Sequence, residues 1–183
     1  MKIAVITPTI SHRSYLLDQC KQSVCNQTTK VPVLHVWGED VARVGCGQMR
    51  NKLIASLDSS YDWVSFLDDD DVLLPQHLDV LSQRCDSADI IYSDCETVGW
   101  QKSWEITSFN QQRLFERNYI PVTVLMRRST FEAANGFARI FAEDWDLWKR
   151  CSLAGARFAF VPQVTWQYRR FGDSMLTTGQ ITF

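Results

Sequence analysis

The sequence predicts a single α/β domain whose central sheet is mostly parallel and is covered by helices on both faces. Short apolar runs alternate along the chain with segments whose apolar residues recur at helical spacing, and this alternation is typical of βαβ units. Acidic residues follow several of the predicted strands, where open α/β sheets bind their ligands. At 183 residues, with 45% hydrophobic content, the chain is long enough to bury one substantial core.

The first half of the chain contains most of the predicted strands. They cover residues 3–6, 31–37, 63–67 and 89–92, and each is a short run rich in apolar side chains. The helices between them cover residues 14–24, a segment that opens at Gly45 and Gly47, and a segment that begins near Leu74 or Pro75. Each helix carries apolar residues three or four positions apart, as expected for a helix that covers a sheet.

The pattern changes after residue 97. We predict a strand over residues 121–126, a helix over 129–134 that ends at Gly136, a helix over 143–153 and a last strand over 157–161. Residues 100–108 favour an irregular segment or a hairpin, and the tail from residue 171 is expected to be mobile. We treat residues 1–183 as one domain with two halves, 1–97 and 98–183.

Composition narrows the classes of protein to consider. The net charge of −2 provides no broad basic field, so we do not expect nucleic-acid binding. The apolar run near the N-terminus is too short for a signal peptide, and no window approaches a transmembrane segment. None of the six cysteines forms a CxxC pair, which favours reduced thiols in a cytoplasmic protein.

Four consecutive aspartates, residues 68–71 (the acidic run), follow directly on the predicted strand 63–67. Carboxylates held together at the end of a buried strand repel one another, so the run needs counter-charge. A divalent cation with oxygen ligands supplies it, and we therefore predict a metal site there. The alternative is that Asp71 caps the helix near Leu74 or Pro75, which would account for one or two of the four.

A second acidic group opens the predicted helix 143–153. Asp144 shares one helical face with Leu147, Trp148 and Cys151, so it heads an apolar stripe where the core meets a cleft. A carboxylate in that position is suited to accept a proton from a substrate hydroxyl. The alternative is an acid that is favoured there only by the helix dipole.

Three arginines are candidates for binding an anion. Arg50 flanks the apolar stripe of the helix after Gly45 and Gly47, where it can reach a carboxylate or a phosphate. Arg169 and Arg170 would suit a diphosphate in an acidic cleft. Ordinary surface charge is the alternative for each of them. The third glycine of a dinucleotide-binding fingerprint is absent, so we do not predict that fold.

Acidic residues also follow two other predicted strands. Glu39 and Asp40 come after strand 31–37, and Asp94 with Glu96 comes after strand 89–92. Because the carboxyl ends of parallel strands meet at one edge of a sheet, we expect these acids and the acidic run to border one cleft.

Taken in order, these pieces resemble the family-2 glycosyltransferases of the GT-A fold. The similar segments are VITPT at 5–9, SVCNQT at 23–28, Arg50-Asn51, FLDDDD at 66–71 with Pro75, RRSTFE at 127–132, NGF at 135–137, EDWDL at 143–147 and Tyr168-Arg169. The resemblance spans nearly the whole chain. The acidic run with Pro75 and the Glu-Asp-Trp helix are its most specific parts when found together.

The resemblance implies a UDP-linked nucleotide-sugar donor and Mn²⁺ or Mg²⁺ as cofactor. The expected reaction transfers the sugar to an acceptor hydroxyl with inversion at the anomeric carbon. A glycan or a lipid-linked sugar is the expected acceptor, and a protein acceptor stays open as well. Residues 1–97 would form the half that binds the nucleotide sugar, and residues 98–183 the acceptor side with the base. A lipid-linked acceptor would place this cytoplasmic protein at the membrane surface.

The resemblance also assigns roles residue by residue. For the donor, it implies Thr7, Pro8 and Thr9 around the nucleotide, Glu39 or Asp40 at the base, Asp68 by the ribose, and Asp69, Arg50, Arg169 and Arg170 as further donor-binding residues. The family's D-x-D motif maps to Asp68 and Asp70, which would hold the metal. Asp144 would be the general base, with Glu143 and Trp145 on the acceptor side.

Two departures from the family pattern bear on these roles. Many relatives carry a histidine two residues after the late Tyr-Arg pair, where this chain has Phe171. The acceptor-binding extension of larger relatives is not found after this motif. We therefore expect the acceptor site to come from the segment after Tyr92, alone or with a second copy of the chain in a homo-oligomer.

Two other functions compete with this interpretation. A nucleotidyltransferase also uses acidic metal ligands on a Rossmann-like sheet, but it usually has a glycine-rich basic loop after the first strand, and residues 10–13 contain no glycine. A nucleotide-sugar binding module without catalysis is the second alternative. Phe171 favours that alternative, whereas Asp144 opposes it.

Overall fold

A computed structural model describes residues 1–99 and 105–170 of the chain; residues 100–104 of the predicted irregular segment, Phe171 and the rest of the tail lie outside them. The described strands are β1 (Ile3–Thr9), β2 (Val33–Glu39), β3 (Trp63–Phe66), β4 (Val72–Leu73), β5 (Ile90–Gly99), β6 (Val124–Arg127) and β7 (Phe158–Arg170). The described helices are α1 (Ser14–Cys25), α2 (Cys46–Ala55), α3 (His77–Ser82), α4 (Gln111–Glu116), α5 (Arg128–Ala133) and α6 (Glu143–Leu153).

The described strands form one seven-stranded sheet in the order β2-β1-β3-β6-β5-β7-β4. β1 pairs in parallel with β2 and β3, and β5 pairs in parallel with β7. Only β6 and β4, among the described strands, run against their neighbours. The predicted α/β fold class with a mostly parallel sheet is therefore confirmed.

The core lies on both faces of the central strands. Every residue of β1 and β3 is buried, as expected for parallel strands that are covered on both sides. Phe66 of β3 packs against Phe131 and Phe137, with ring centroids 5.9 and 5.1 Å away. The predicted apolar face of α6 is also buried, including Leu147 and Trp148. This packing fixes the carboxyl end of β3 and the start of α6.

Strand β7 is much longer than the predicted strand 157–161. It pairs with β5 over the whole length of β5, with shifts of register on both sides of Asp94. Asp94 and Glu96 therefore lie inside β5, and the prediction that they follow a strand end is wrong. Glu96 instead accepts a hydrogen bond of 2.9 Å from the side-chain amide of Gln167 on β7.

The segment after the acidic run also differs from the prediction. β4 intervenes and pairs with β7, and α3 begins at His77 with Gln76 in the N-cap position. The helix predicted near Leu74 or Pro75 is present but begins later, at His77, and the alternative that Asp71 caps it is wrong. The pairing with a distant strand, which the local pattern does not contain, holds this segment extended.

None of the helices in the described part of the chain combines the length and the apolar character that a membrane span requires.

Candidate active site

The acidic run begins just after β3 ends and leads into β4. Its carboxylates differ in exposure: Asp69 and Asp71 are buried, whereas Asp68 and Asp70 are half-buried. Oxygen atoms of Asp68, Asp70 and Asp71 lie within 4.8 Å of one another. Three of the four side chains therefore converge on one small volume, and Asp69 is directed elsewhere.

Arg13 supplies counter-charge to the acidic run. Its Nη1 lies 2.8 Å from Asp69 Oδ1, and its Nη2 donates to Asp70 Oδ2 at 2.5 Å. Thr9 at the end of β1 donates its hydroxyl to Asp69 Oδ2 at 2.6 Å. Burial raises the pKa of Asp69 to about 6, while the Thr9 hydroxyl and the Arg13 charge act in the opposite direction. Arg13 thus joins the start of α1 to two of the four aspartates.

The other two aspartates meet β7 and α2. Asp71 Oδ1 accepts a hydrogen bond of 2.9 Å from the backbone N–H of Arg169. Burial, and then the neighbouring carboxylates of Asp70 and Asp68, raise the pKa of Asp71 well above its usual value. Burial likewise raises the pKa of Asp70, with Asp68 as the next cause. Two members of the run therefore lack full compensation of their charge.

Arg169 and Arg170 lie beside the acidic run in different settings. Arg169 is buried; its Nε donates to the backbone carbonyl of Asp70, and its Nη1 donates to Gln19 on α1. Arg170 lies with its guanidinium 4.3 Å from the Tyr168 ring centroid, and its charge lowers the pKa of Asp70. Arg169 therefore stabilises the backbone of the acidic run at Asp70, and Arg170 is the more accessible of the two arginines.

Arg50 joins the acidic run to the start of α6. Its Nη2 donates to Asp68 Oδ1, and its Nη1 donates to Glu143 Oε1 at 3.2 Å. The guanidinium is buried; burial alone would lower its pKa, but Asp68 and Glu143 are among the groups that raise it. Gly47 lets the two elements approach, because a Cβ there would lie 2.7 Å from Glu143 Cγ.

Asp144 lies beside this bridge in the first turn of α6. Its Oδ2 accepts a hydrogen bond of 3.1 Å from Asn118 Nδ2, and its Oδ1 accepts one of 2.7 Å from the backbone N–H of Trp145. Burial, and then the charge of Glu143, raise the pKa of Asp144 to about 6. A group with that pKa is ionised at neutral pH and still basic enough to take a proton, which is what general-base catalysis requires.

Trp145 anchors the start of α6 to α4. Its indole Nε1 donates to the backbone carbonyl of Leu114 at 2.5 Å, and Leu114 is fully buried. Lys149 lies over the Trp145 ring, with Nζ 4.3 Å from the centroid. Trp145 therefore contacts the segment before β6, and it remains half-buried beside Asp144.

The three residues predicted to line a nucleotide pocket at the end of β1 are all buried. Thr7 has no exposed surface, and its hydroxyl lies 2.9 Å from His35 Nε2 under α1. Pro8 follows it in the strand, and Thr9 is the one whose side chain contacts the acidic run. The structure therefore brings Thr9 into the site and directs the Thr7 side chain away from it.

Glu39 and Asp40 lie at the carboxyl end of β2. Glu39 is exposed, and Asp40 accepts hydrogen bonds from the backbone N–H groups of Val44 and Gly45 at 2.9 and 2.7 Å. Asp40 therefore closes the loop that leads into α2. Glu39 is paired in register with Thr9 of β1, which places it on the same edge of the sheet as the acidic run.

Sequence reasoning did not identify two residues of this site, Arg13 and Asn118. A signal for Arg13 was present, because four aspartates need counter-charge and a basic residue follows the first strand closely. Asn118 had a weaker one, a polar residue directly before the apolar pair Tyr119-Ile120. In both cases the partner is remote in sequence, so only the fold reveals the contact.

No family model matches the sequence, and no curated protein matches it. Several solved structures are similar. S. aureus TarS 1–349 in complex with UDP-GlcNAc has a TM-score of 0.76 at 17% sequence identity, over 97% of this chain and 61% of that one. A longer structure of S. aureus TarS has a TM-score of 0.74 at 15% identity, over 94% of this chain and 37% of that one.

A third similar structure is the catalytic domain of Drosophila β1,4-galactosyltransferase 7 in complex with xylobiose. Its TM-score is 0.65 at 18% identity, over 88% of this chain and 65% of that one. These neighbours are GT-A-type glycosyltransferases. The chain therefore has the GT-A fold, as the sequence predicts, and it spans about 60% of the TarS 1–349 structures.

Proposed function

We propose that this protein is an inverting glycosyltransferase that moves a sugar from a UDP-linked donor to an acceptor hydroxyl. One observation carries the proposal: the acidic run after β3 and the carboxylate of Asp144 border one site, because Arg50 binds both Asp68 and Glu143. Such a transfer needs one carboxylate that accepts the proton of the acceptor hydroxyl and a separate group of carboxylates that holds the metal. The likeness to TarS 1–349 in complex with UDP and with UDP-GlcNAc supports this class of donor.

Asp144 acts as the general base in this proposal. The acceptor hydroxyl gives its proton to Asp144 while its oxygen forms a bond to the anomeric carbon and the bond from that carbon to the diphosphate breaks. Attack from the face opposite the leaving group inverts the anomeric configuration. The raised pKa of Asp144, about 6, supports this role, since a base poised near neutral pH transfers protons most effectively.

The acidic run fits a divalent cation. Oxygens of Asp68, Asp70 and Asp71 lie within 4.8 Å of one another, and oxygen-only ligand sets suit Mg²⁺ or Mn²⁺. Burial and mutual repulsion raise the pKa values of Asp70 and Asp71, as expected where positive charge is lacking. We propose that these three residues hold Mn²⁺ or Mg²⁺, which supplies charge stabilisation to the departing diphosphate. Asp71 joins the two ligands predicted from sequence.

The remaining predicted residues divide between donor and acceptor. On the donor side, Glu39 and Asp40 are proposed for the base, Asp68 for the ribose and Arg170 for the diphosphate. Arg169 holds the acidic run in place, together with Arg13, which the sequence did not predict. On the acceptor side, Trp145 borders Asp144, and Glu143 keeps Arg50 in position. The proposed acceptor is a glycan or a lipid-linked sugar.

A ligand screen tests the donor and the metal together. We expect UDP-sugars, UDP-GlcNAc among them, to raise the melting temperature in the presence of Mn²⁺ or Mg²⁺ and to lose that effect when EDTA is added. Asp70→Ala should abolish the metal-dependent stabilisation, whereas Asp86→Ala, an exposed acid after α3, should leave it intact. Equal stabilisation with and without EDTA would remove the metal from the proposal. A lack of response to every UDP-sugar would remove the donor class.

A further inference from the structure

Asn118 makes a direct contact with the proposed base. Its Nδ2 donates to Asp144 Oδ2 at 3.1 Å, while the other carboxylate oxygen accepts the Trp145 N–H. Each oxygen of Asp144 therefore has one donor from the protein and keeps a free lone pair for a hydroxyl proton. Nothing in the reaction proposed above requires Asn118, so its contact needs a separate explanation.

The segment that presents Asn118 is held rigidly against α6. The Tyr119 hydroxyl donates to the backbone carbonyl of Asn110 at 3.0 Å and accepts from the Asn110 N–H at 2.7 Å. Tyr119 and Ile120 are almost completely buried, and the Leu114 carbonyl accepts the indole N–H of Trp145. Asn118 is thus fixed on one side by buried neighbours and on the other by α4, which is anchored to Trp145 next to Asp144.

The amide of Asn118 has no other use among the described residues. Its Oδ1 is buried and receives no hydrogen bond from the described part of the chain. A buried acceptor without a donor is unfavourable, so a residue with a purely structural task would be expected to satisfy both ends of its amide. The reverse orientation of the amide would place Oδ1 against the carboxylate of Asp144, which repulsion excludes.

We infer that Asn118 is a positioning residue for Asp144: its amide N–H fixes the direction of the carboxylate and favours the ionised form. Donation to a carboxylate stabilises the charged state and so lowers the pKa of the acid. In this way Asn118 opposes the burial and the Glu143 charge, both of which favour the protonated acid. The catalytic meaning of this inference rests on the proposed function, but the contact and its effect on proton affinity do not.

The charged groups that face Asp144 are Glu143 on its own helix and Arg50 on α2. The charged side chains on and directly after α4 have other partners: Arg113 and Arg117 both pair with Glu105, at 2.9 and 2.8 Å, and Glu116 accepts a hydrogen bond of 3.4 Å from Gln112. From this side Asp144 therefore meets a neutral donor, and replacing Asn118 changes its proton affinity without removing a charge.

The test is a titration of Asp144 by carboxyl ¹³C NMR, with the Asp144 signal assigned from its absence in Asp144→Asn. We expect Asn118→Ala to raise the pKa of Asp144 by about one unit, because a hydrogen bond to a charged group is lost. Asn118→Asp, which keeps the side-chain size, should raise it further, since two adjacent carboxylates share a proton. An unchanged pKa in both variants would overturn the inference.

Asn110→Ala is the matched control. Asn110 caps α4 by accepting from the Arg113 N–H at 2.9 Å, and it belongs to the same segment, so this variant should lose stability without moving the pKa of Asp144. An equal pKa shift in Asn110→Ala would show that Asn118 acts only through the fold of the segment and would also overturn the inference.

Transfer kinetics give a second readout. In Asn118→Ala, the acid limb of the pH–rate profile should shift to higher pH by the same number of pH units as the pKa of Asp144 measured by NMR. At high pH, kcat should fall about tenfold with little change in KM. A fall in kcat/KM that comes only from a higher KM, with kcat unchanged, would contradict the positioning role of Asn118. If no transfer occurs even in the unmodified protein, the proposed function fails, while the NMR titration still decides the role of Asn118.

Discussion

The guanidinium of Arg13 lies between the carboxylates of Asp69 and Asp70, at 2.8 and 2.5 Å. The side chains of Arg13 and Asp69 are 9% and 3% exposed, so this is a buried ion pair. Removing one partner of such a pair leaves the other charge buried without compensation, which costs far more than the pair itself contributes. The hydrogen bond from the Thr9 hydroxyl and the charge of Arg13 both lower the pKa of Asp69 against the effect of burial, so the ionised form of Asp69 depends in part on Arg13.

Arg13→Met tests this dependence at the scale of one residue. The variant should lower the free energy of unfolding by about 3 kcal/mol, because methionine retains the apolar stem but leaves Asp69 unpaired. Urea denaturation at neutral pH measures the change. Arg84→Met, which removes an exposed arginine after α3, should cost less than about 0.5 kcal/mol. Similar losses for both variants would mean that Asp69 is not held by Arg13.

For the acidic run, the sequence predicts that the four carboxylates cluster but not which partner each of them binds. Four aspartates after an apolar strand are enough to predict a cluster that needs counter-charge. The sequence does not predict which partner each aspartate binds, because those partners are Arg13, Arg169 and Arg50, which lie far away in sequence. Asp71, for which a helix cap was the alternative role, accepts a hydrogen bond from the backbone N–H of Arg169 instead.

At the scale of elements, the contact between α2 and α6 holds the two sides of the site together. Gly47 lies at the contact, where a Cβ would be 2.7 Å from Glu143 Cγ and 3.0 Å from Phe137 Cβ. Glu143 can move, but the Cβ of Phe137 is fixed by its backbone. A side chain at this position therefore presses α2 away from the segment at Phe137 and displaces Glu143, which draws Glu143 away from Arg50.

Gly47→Ala should lower the free energy of unfolding by about 2 kcal/mol, the usual scale for overpacking, and should also reduce sugar transfer. Gly155→Ala is a suitable comparison, since Gly155 lies beyond the other end of α6 at φ +82° with nothing within 4 Å of the added Cβ. That variant should lose stability through backbone strain and keep its transfer activity. Denaturation and transfer assays on both proteins separate the loss of stability from the loss of transfer activity. Full activity of Gly47→Ala would show that the α2–α6 contact does not matter for the site.

The elements that the sequence predicts well are those with strong local patterns. Helix α6 begins and ends at the predicted residues, because its apolar stripe and acidic first turn are both local. β4 and the second half of β7 were not predictable, since they are extended only through pairing with each other and with β5. The same pairing removes Asp94 and Glu96 from the strand end where local reasoning places them.

At the scale of the whole molecule, the sheet order brings the two halves of the chain to one cleft. β6 inserts between β3 and β5 and runs antiparallel to β3, so the segment that precedes β6 lies beside the carboxyl end of β3. Asn118 precedes β6, and α6 follows it with Asp144 in its first turn. The local pattern predicts each strand, but the position of β6 within the sheet is a long-range property that only the fold reveals.

Asp144→Asn tests most directly whether Asp144 is the base for transfer from a UDP-sugar. The substitution keeps the shape of the side chain and its bond to the Trp145 N–H but cannot accept the proton. We predict that transfer falls by at least about 100-fold, while binding of the UDP-sugar with Mn²⁺, measured by calorimetry on the same preparation, stays within about twofold. Undiminished transfer by Asp144→Asn would contradict the account.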